Sequence, residues 1–494
     1  MIVNALLALA SSVLLLLLFP GYSFSWLAPI ALTPLLIACA REERWRARFA
    51  PGYGASAVFW FGLCNWIHFV LTHHGGVGEV AAWLVVILFC LAKAVQIGVF
   101  AALAGPVMNH SRFGIPGVAA LWVAIEWTQW FGFEWLKLGN AGSDMAVLLR
   151  LAPVTGVWGI SFAFALMSAS IAAILTRRKR LASVWLLALA GLYLLPEIPA
   201  PEKGNRAAVI VQPNIDDETL WTDELEDRAQ QQLARVSQSL AGNAGAHPPE
   251  LIVWPEMPTP FSADDPKFSG LLGSVARATG ASVITGAIGR TPRFTPLNSA
   301  LLTGPDGARI SRYDKVKLVP FGEFVPWPFG AMTQKISSGV GDFAAGDHVV
   351  VSPIPGHREG TFICYEAVFA DYVRQFTAAG AEVLVNISND SWFGKTQARY
   401  QHLRILRMRA AENRRWILRA TNDGVSGVID PAGRIVATEP EFREAAARLQ
   451  FRYRTDLTFY ARHGDWFVGL CWLVSALVVA EARAARRLRP GSLQ

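Results

Sequence analysis

Apolar residues in the first 200 positions fall in long unbroken runs, not at the three-and-four spacing of a half-buried helix. The runs 3–20, 23–40, 51–72, 80–103, 116–131, 151–175 and 181–197, with an eighth at 464–482, each approach the ~20 residues a bilayer-crossing helix needs. The first run lacks a preceding basic segment and a small-residue cleavage pattern, so it reads as a retained helix. Lys93 and Glu126 lie inside two of the runs. Ionisable groups in a membrane are costly, so these two are expected to pair with one another or to line the lipid pocket.

From about Ala207 the texture changes to short β-branched runs separated by helical patterns. The stretches 207–215, 250–256, 281–289, 360–366, 381–389 and 415–422 read as buried strands. Between the first two, Leu225, Ala229, Leu233, Val236 and Leu240 recur at helical steps and form one apolar face. "LNSALLTGPDGARISRYDK" (297–315) reads as a hairpin closed by a Pro-Asp-Gly turn, and "GVSGVIDPAGRIV" repeats that logic. Alternation of this kind predicts one layered α/β domain. The expected organisation is a membrane domain of seven helices over 1–199, a catalytic domain over 200–460, and a final helix with a basic tail over 461–494.

Composition agrees with that division. Of 494 residues, 52% are hydrophobic and 18 are tryptophan. Lysine and arginine cluster in "REERWRAR" (41–48), "TRRKR" (176–180) and "ARAARRLR" (482–489), whereas "THHGGVGE" (72–79) has none. An N-terminus on the inside puts all three clusters in the cytoplasm and delivers 200–460 to the outer face. The formal charge of +7 is thus largely a topology signal and does not argue for nucleic acid. No phosphate-cradling loop pattern occurs.

The five cysteines include four, Cys39, Cys64, Cys90 and Cys471, within apolar runs, which leaves Cys364 alone in the polar part of the chain. A disulfide framework there is excluded, and no cysteine partner exists for a zinc site. A lone cysteine is most often a small buried hydrophobe. Cys364, however, ends one strand pattern, Glu256 follows another at "LIVWPE", and Lys315 closes the hairpin. A thiol, a carboxylate and an ammonium at comparable strand ends can meet at one sheet edge. There the carboxylate serves as general base and the cation steadies a developing oxyanion.

"VWPE", "RYDKVKLVPFGEFVP" and "FICYE" resemble the nitrilase (carbon–nitrogen hydrolase) superfamily. With the apolar runs and "NISNDSWFG", "QHLRILRMRAAEN" and "RATNDGVSGVIDPAGR", the chain is similar to the bacterial apolipoprotein N-acyltransferase family. The resemblance implies an αββα sandwich carried by eight transmembrane helices, and a Glu256–Lys315–Cys364 triad. Glu323 then corresponds to a supporting glutamate, Tyr365 and Glu366 to the positions beside the cysteine, and Trp221 to a tryptophan at substrate entry. The implied reaction moves an acyl chain from a membrane phospholipid, through a Cys364 thioester, to the α-amine of a diacylated apolipoprotein. Neither a cofactor nor a metal is implied, and a monomer in the bacterial inner membrane with its catalytic domain in the periplasm is expected.

The loop "FVPWPFGAM" (324–332) carries Phe324, Trp327, Phe329 and Met332, a composition suited to a lid dipping into the outer leaflet. Against the family pattern, 126–144 has Glu134 and "NAGSD" in place of commoner residues, which bears on the membrane-side pocket; Trp416 replaces a proline and reads as packing. Two other functions fit the residues taken alone: a membrane-tethered hydrolase that resolves the thioester with water, and a catalytically silent lipid-binding scaffold.

Overall fold

The computed structural model describes residues 2–128, 133–176, 179–216, 219–242, 248–324 and 343–487. The chain divides into two compact units. One comprises Met1–Phe69, Gly78–Ile198 and His463–Gln494; the other comprises Val70–Val77 and Pro199–Arg462.

The first unit is helical. All eight apolar runs coincide with helices, but helix length separates them. Glu79–His110, Val157–Leu175 and Trp466–Arg487 are long and apolar enough to cross a bilayer. Trp45–Cys64 with Ile67–His74 makes a fourth span if its 59° bend is one broken passage. Ile2–Leu17, Ser25–Arg41, Gly114–Trp127 and Ser183–Leu194 are shorter. At 1.5 Å per residue, a 16-residue helix such as Ile2–Leu17 covers about 24 Å of the ~30 Å hydrocarbon core. The expected count of eight full-length spans is therefore not what helix length alone delivers.

Small residues draw these helices together. A Cβ on Gly52 would sit 2.6 Å from the Ala101 Cβ, so Trp45–Cys64 and Glu79–His110 meet at backbone distance. Buried hydroxyls tie helix to helix: Ser12 Oγ donates to the Ala55 carbonyl, and Leu35 N–H donates to Ser11 Oγ at 2.8 Å. Asp465 accepts from Trp127 Nε1 at 2.8 Å and from Trp158 Nε1 at 2.9 Å, so one carboxylate gathers two indoles. The outside is oily: Val80 is 76% exposed and Leu194 89%, as expected where lipid is the solvent.

Lys93 and Glu126 do not pair. Lys93 is fully buried, donates to the Phe133 carbonyl at 3.3 Å and lies 4.6 Å over the Trp60 ring. Glu126 accepts from the Leu138 N–H at 2.7 Å and lines a cavity of ≈ 40 Å³ with Trp60, Gln96 and Trp122. The aromatic face and a carbonyl satisfy the ammonium, so the ion pair is not needed. In the atypical segment, Glu134 meets Lys137 at 2.9 Å, and Asn140 and Ser143 are buried in the turn Leu138–Asp144.

The second unit is built on twelve strands: β1 (Arg206–Gln212), β2 (Pro249–Val253), β3 (Ser282–Arg290), β4 (Pro296–Thr303), β5 (Arg309–Asp314), β6 (Val351–Ile354), β7 (His357–Ile363), β8 (Val383–Ser388), β9 (Ile417–Thr421), β10 (Gly427–Ile429), β11 (Ile435–Thr438) and β12 (Ala445–Phe451). They form two six-stranded sheets, ordered β12-β1-β2-β3-β4-β5 and β11-β10-β9-β8-β7-β6. β1, β2 and β3 run parallel, as do β7, β8 and β9. The sheets meet face to face through β1 with β9 and β4 with β7. Helices α1 (Asp223–Gly242) and α2 (Pro266–Thr279) cover one outer face; α3 (Ala370–Ala378) and α4 (Ala398–Asn413) cover the other. The αββα layering thus follows from strands apolar on both faces, such as β8, all six of whose residues are buried. Leu233 of α1 and Phe268 and Leu272 of α2 pack on Val209, Ile252, Trp254 and Val283. Trp416 is wholly buried, in keeping with a packing role.

Glu359, near the start of β7, is 2% exposed and accepts from Thr361 Oγ1 at 2.7 Å. Burial pushes its carboxyl up to about 7 from 4.5. A raised carboxyl favours the folded state below pH 4.5 and loses that advantage as the pH rises through about 7. Glu359→Gln should therefore raise the melting temperature at pH 8, by on the order of 3 kcal/mol in stability, and leave it nearly unchanged at pH 4.5. Equal effects at both pH values would show that no buried charge is formed.

Candidate active site

The functional side chains stand at the carboxyl ends of strands, where backbone pairing gives out. Glu256 lies three residues past β2. Trp254 N–H still bonds the Ile284 carbonyl at 2.8 Å, and Gly286 N–H bonds the Pro255 carbonyl at 3.1 Å. Gly286 has to be glycine for this: a Cβ there would lie 2.8 Å from Glu256 Cα and 2.2 Å from Met257 N. Lys315 is the residue after β5, its N–H bound to the Asn298 carbonyl at 2.8 Å. Sequence reasoning put Lys315 and Cys364 within strands; each stands one position beyond.

Lys315 is 1% exposed, and two carboxylates share it. Its Nζ donates to Glu323 Oε1 at 2.9 Å and to Glu256 Oε1 at 3.2 Å. Asn298 Nδ2 donates to the same two oxygens, both at 2.7 Å. The outer oxygens are held by backbone: Glu256 Oε2 accepts from Asn389 N–H at 2.9 Å, and Glu323 Oε2 from Val319 N–H at 2.8 Å. Burial pushes the Lys315 ammonium down, but Glu256, Glu323 and Cys364 outweigh it and the net shift is upward. Lys315 is therefore a fixed cation.

Cys364 opens a 3₁₀ turn, Cys364–Val368, with a left-handed φ of 48°. This conformation ends β7 and costs a non-glycine residue about 1–3 kcal/mol. The thiol is buried beside Glu256 and Lys315, within reach of the Ser388 hydroxyl. Burial, then the Glu256 charge, pushes it up to about 12, with Lys315 opposing. Cys364 is thus held as a thiol at rest, and it could act as a nucleophile only with a base to take its proton.

Glu366, fully buried, joins the cysteine turn to the lysine segment. One oxygen accepts from Ile363 N–H at 2.7 Å; the other accepts from Tyr313 OH at 2.6 Å, Val316 N–H at 2.8 Å and Lys317 N–H at 3.1 Å. Tyr365 is buried with its ring edge-on to Phe369, 5.2 Å between centroids. Trp221 stands elsewhere, in a cleft of ≈ 460 Å³ with Ile215, Leu225, Arg228 and Glu444, whose lining includes no member of the triad. Of the expected lid, Phe324 is described, but Trp327, Phe329 and Met332 lie outside the described residues. Among the described residues no group of three or more His, Cys, Asp or Glu could hold a metal ion.

Several residues here escaped sequence reasoning: Asn298, Ser388, Asn389, Asp390, His402 and Arg419. All but Asn389 are buried. The available signal was a polar side chain breaking an apolar strand, as Asn298 does in "PLNSALLT".

Alkylation of Cys364 by iodoacetamide, followed on its own peptide by mass spectrometry, should rise about tenfold per pH unit from pH 7 to 10 with no plateau. A plateau setting in above about pH 9 would mean an ordinary, unburied thiol.

Residues 207–455 match the carbon–nitrogen hydrolase family, and residues 11–170 match the apolipoprotein N-acyltransferase N-terminal domain. The chain is 32% identical over 500 residues to the apolipoprotein N-acyltransferase of Geobacter metallireducens, covering 97% of this chain and 95% of that one. It is 33% identical over 513 residues to that of Pseudomonas paraeruginosa, covering 98% and 96%. Among solved structures, a mutant of the Nesterenkonia AN1 amidase from the nitrilase superfamily aligns at 19% identity and a TM-score of 0.39, over 55% of this chain and 98% of that chain. Identity at this level across nearly the whole of both sequences, with both domain matches in order, means that the chain belongs to the apolipoprotein N-acyltransferase family.

Proposed function

We propose that this chain moves an acyl group from a membrane phospholipid to the α-amine of the diacylglyceryl-cysteine of lipoproteins, through a thioester on Cys364. The observation that carries this reading is the buried Lys315 ammonium held by Glu256 and Glu323 next to a protonated thiol. Glu256 takes the Sγ proton as sulfur bonds to the ester carbonyl carbon. Lys315, cationic throughout, steadies the oxyanion. The C–O bond to glycerol then breaks, and Glu256 returns the proton to the departing lysophospholipid oxygen. In the second half the acceptor amine attacks the thioester carbon, Glu256 takes a proton from it, and sulfur leaves to be reprotonated. Glu323 and Glu366 hold the cation and the cysteine turn; Trp221 and Tyr365 are proposed to shape access for the substrates.

Residues 1–199 and 461–494 are proposed as the membrane domain, with eight passages and both termini in the cytoplasm, and 200–460 as the periplasmic catalytic domain. The oily helical exterior and the three basic clusters support this arrangement. The protein would work as a monomer in the inner membrane, with phospholipid and apolipoprotein as its partners.

Intact-protein mass spectrometry after incubation with phospholipid vesicles tests the chemistry. An acyl-sized gain that hydroxylamine removes is expected on the wild type and not on Cys364→Ser. Lys315→Met should form the adduct at least about 10²–10³-fold more slowly. A diacylated lipopeptide should discharge the adduct into a triacylated product; discharge to free fatty acid at the same rate without the peptide would point to a hydrolase. For topology, alkaline phosphatase joined after Pro199 should be active and joined after Gln494 inactive. The reverse pattern would refute the orientation.

A further inference from the structure

The left-handed backbone at Cys364 has to be held by something outside its own turn. Glu366 anchors the preceding peptide, by accepting from Ile363 N–H. The peptide that follows is gripped from α4. His402, fully buried, places Nε2 3.1 Å from the Cys364 carbonyl oxygen. A carbonyl only accepts, so Nε2 carries the proton and donates. Nδ1 lies 3.3 Å from Arg419 Nη2 and 3.5 Å from Asp390 Oδ1. Burial holds His402 below its usual range although Asp390 opposes it, which favours the neutral ring, and the Cys364 carbonyl selects the tautomer with the proton on Nε2. Arg419 Nη2 is in turn fixed at 2.8 Å from each oxygen of Asp390, and Asp390 accepts from Ser388 Oγ at 3.0 Å. Asp390 has no room to move, because a Cβ on Gly424 would lie 2.4 Å from its Oδ2.

We infer that His402 is a positioning residue for acyl transfer: its Nε2–H, set by Arg419 and Asp390, fixes the peptide plane after Cys364 and so aims the sulfur. The inference rests on Cys364 being the nucleophile. A trans peptide points its C=O and N–H in opposite directions. With the carbonyl pinned on His402, the Tyr365 N–H points the opposite way within the same plane. Catalytic alignment is sensitive to such placement, since a misplacement of about 1 Å can cost about 10²-fold in rate.

Two variants of matched length separate the hydrogen bond from mere packing. His402→Gln keeps an N–H donor, whereas His402→Met fills the space without one. With full-length protein in vesicles of phosphatidylethanolamine and phosphatidylglycerol, single-turnover thioester formation should fall about 10²-fold in His402→Met, with the KM for phospholipid unchanged. His402→Gln should recover at least about tenfold of that loss. Wild-type rate in His402→Met, or equal loss in both variants at native melting temperature, would overturn the inference. If only the glutamine chain folds, a rate within about tenfold of wild type at unchanged KM supports it, and a loss of about 10²-fold overturns it. The wild-type adduct in the same series keeps the two ideas apart: its absence would defeat the nucleophile assignment, whereas its presence beside an unaffected His402→Met defeats the positioning role alone.

Discussion

Everything in the catalytic unit answers to one constraint: an ammonium and two carboxylates must be taken out of water together. Removing one partner from such a buried cluster costs about 3–5 kcal/mol, because the remaining charges stay behind without compensation. The fold meets this by giving each carboxylate oxygen a defined donor, from Lys315, Asn298, Asn389 or Val319. Two negative charges against one positive leave the cluster anionic while the neighbouring sulfur stays protonated. A second negative charge on sulfur would be costly there, which is the electrostatic reason for a thiol at rest.

Much of this was legible beforehand, and the parts that were not share a cause. β1, β2, β3, β7, β8 and β9 announced themselves because their residues are mostly buried, which writes each into the sequence as an apolar run, whereas the half-exposed β6 and β12 did not. Glu256, Lys315 and Cys364 were visible because each interrupts or follows such a run. The turn at Cys364 was not, since nothing in "FICYE" specifies a positive φ; the conformation comes from partners about 40 residues away, on α4. Asn298 was hidden in a strand where one polar residue looks like noise until the sheet brings it beside Glu256. In the helical unit each apolar run fell on a helix, and among the described residues three of these helices, or four with the bent pair, are long enough to span by themselves. Lys93 and Glu126 were paired by charge alone, yet an indole face proved a sufficient companion for the lysine.

Held rigidity and chemical readiness are supplied by different layers. The cation and its carboxylates follow strands of the sheet containing β2 and β5, whereas Cys364 and its backing network come from the sheet containing β7, β8 and β9. Glu366 and Asn389 cross that divide, one by gripping the segment after Lys315 and the other by capping Glu256. The site therefore draws on both sheets and is assembled where they stack.

The short segment Val70–Val77 belongs to the catalytic unit although some 120 residues of the other unit follow it in the chain. Its His74 ring lies 4.5 Å from that of Trp392, two residues beyond the Asp390 that anchors Arg419. The catalytic unit is thus discontinuous in the gene and complete only in space. Cut out as a contiguous piece from Pro199 to Arg462, it would lack one of its own walls, and that wall is laid down during synthesis before any strand of either sheet has been made.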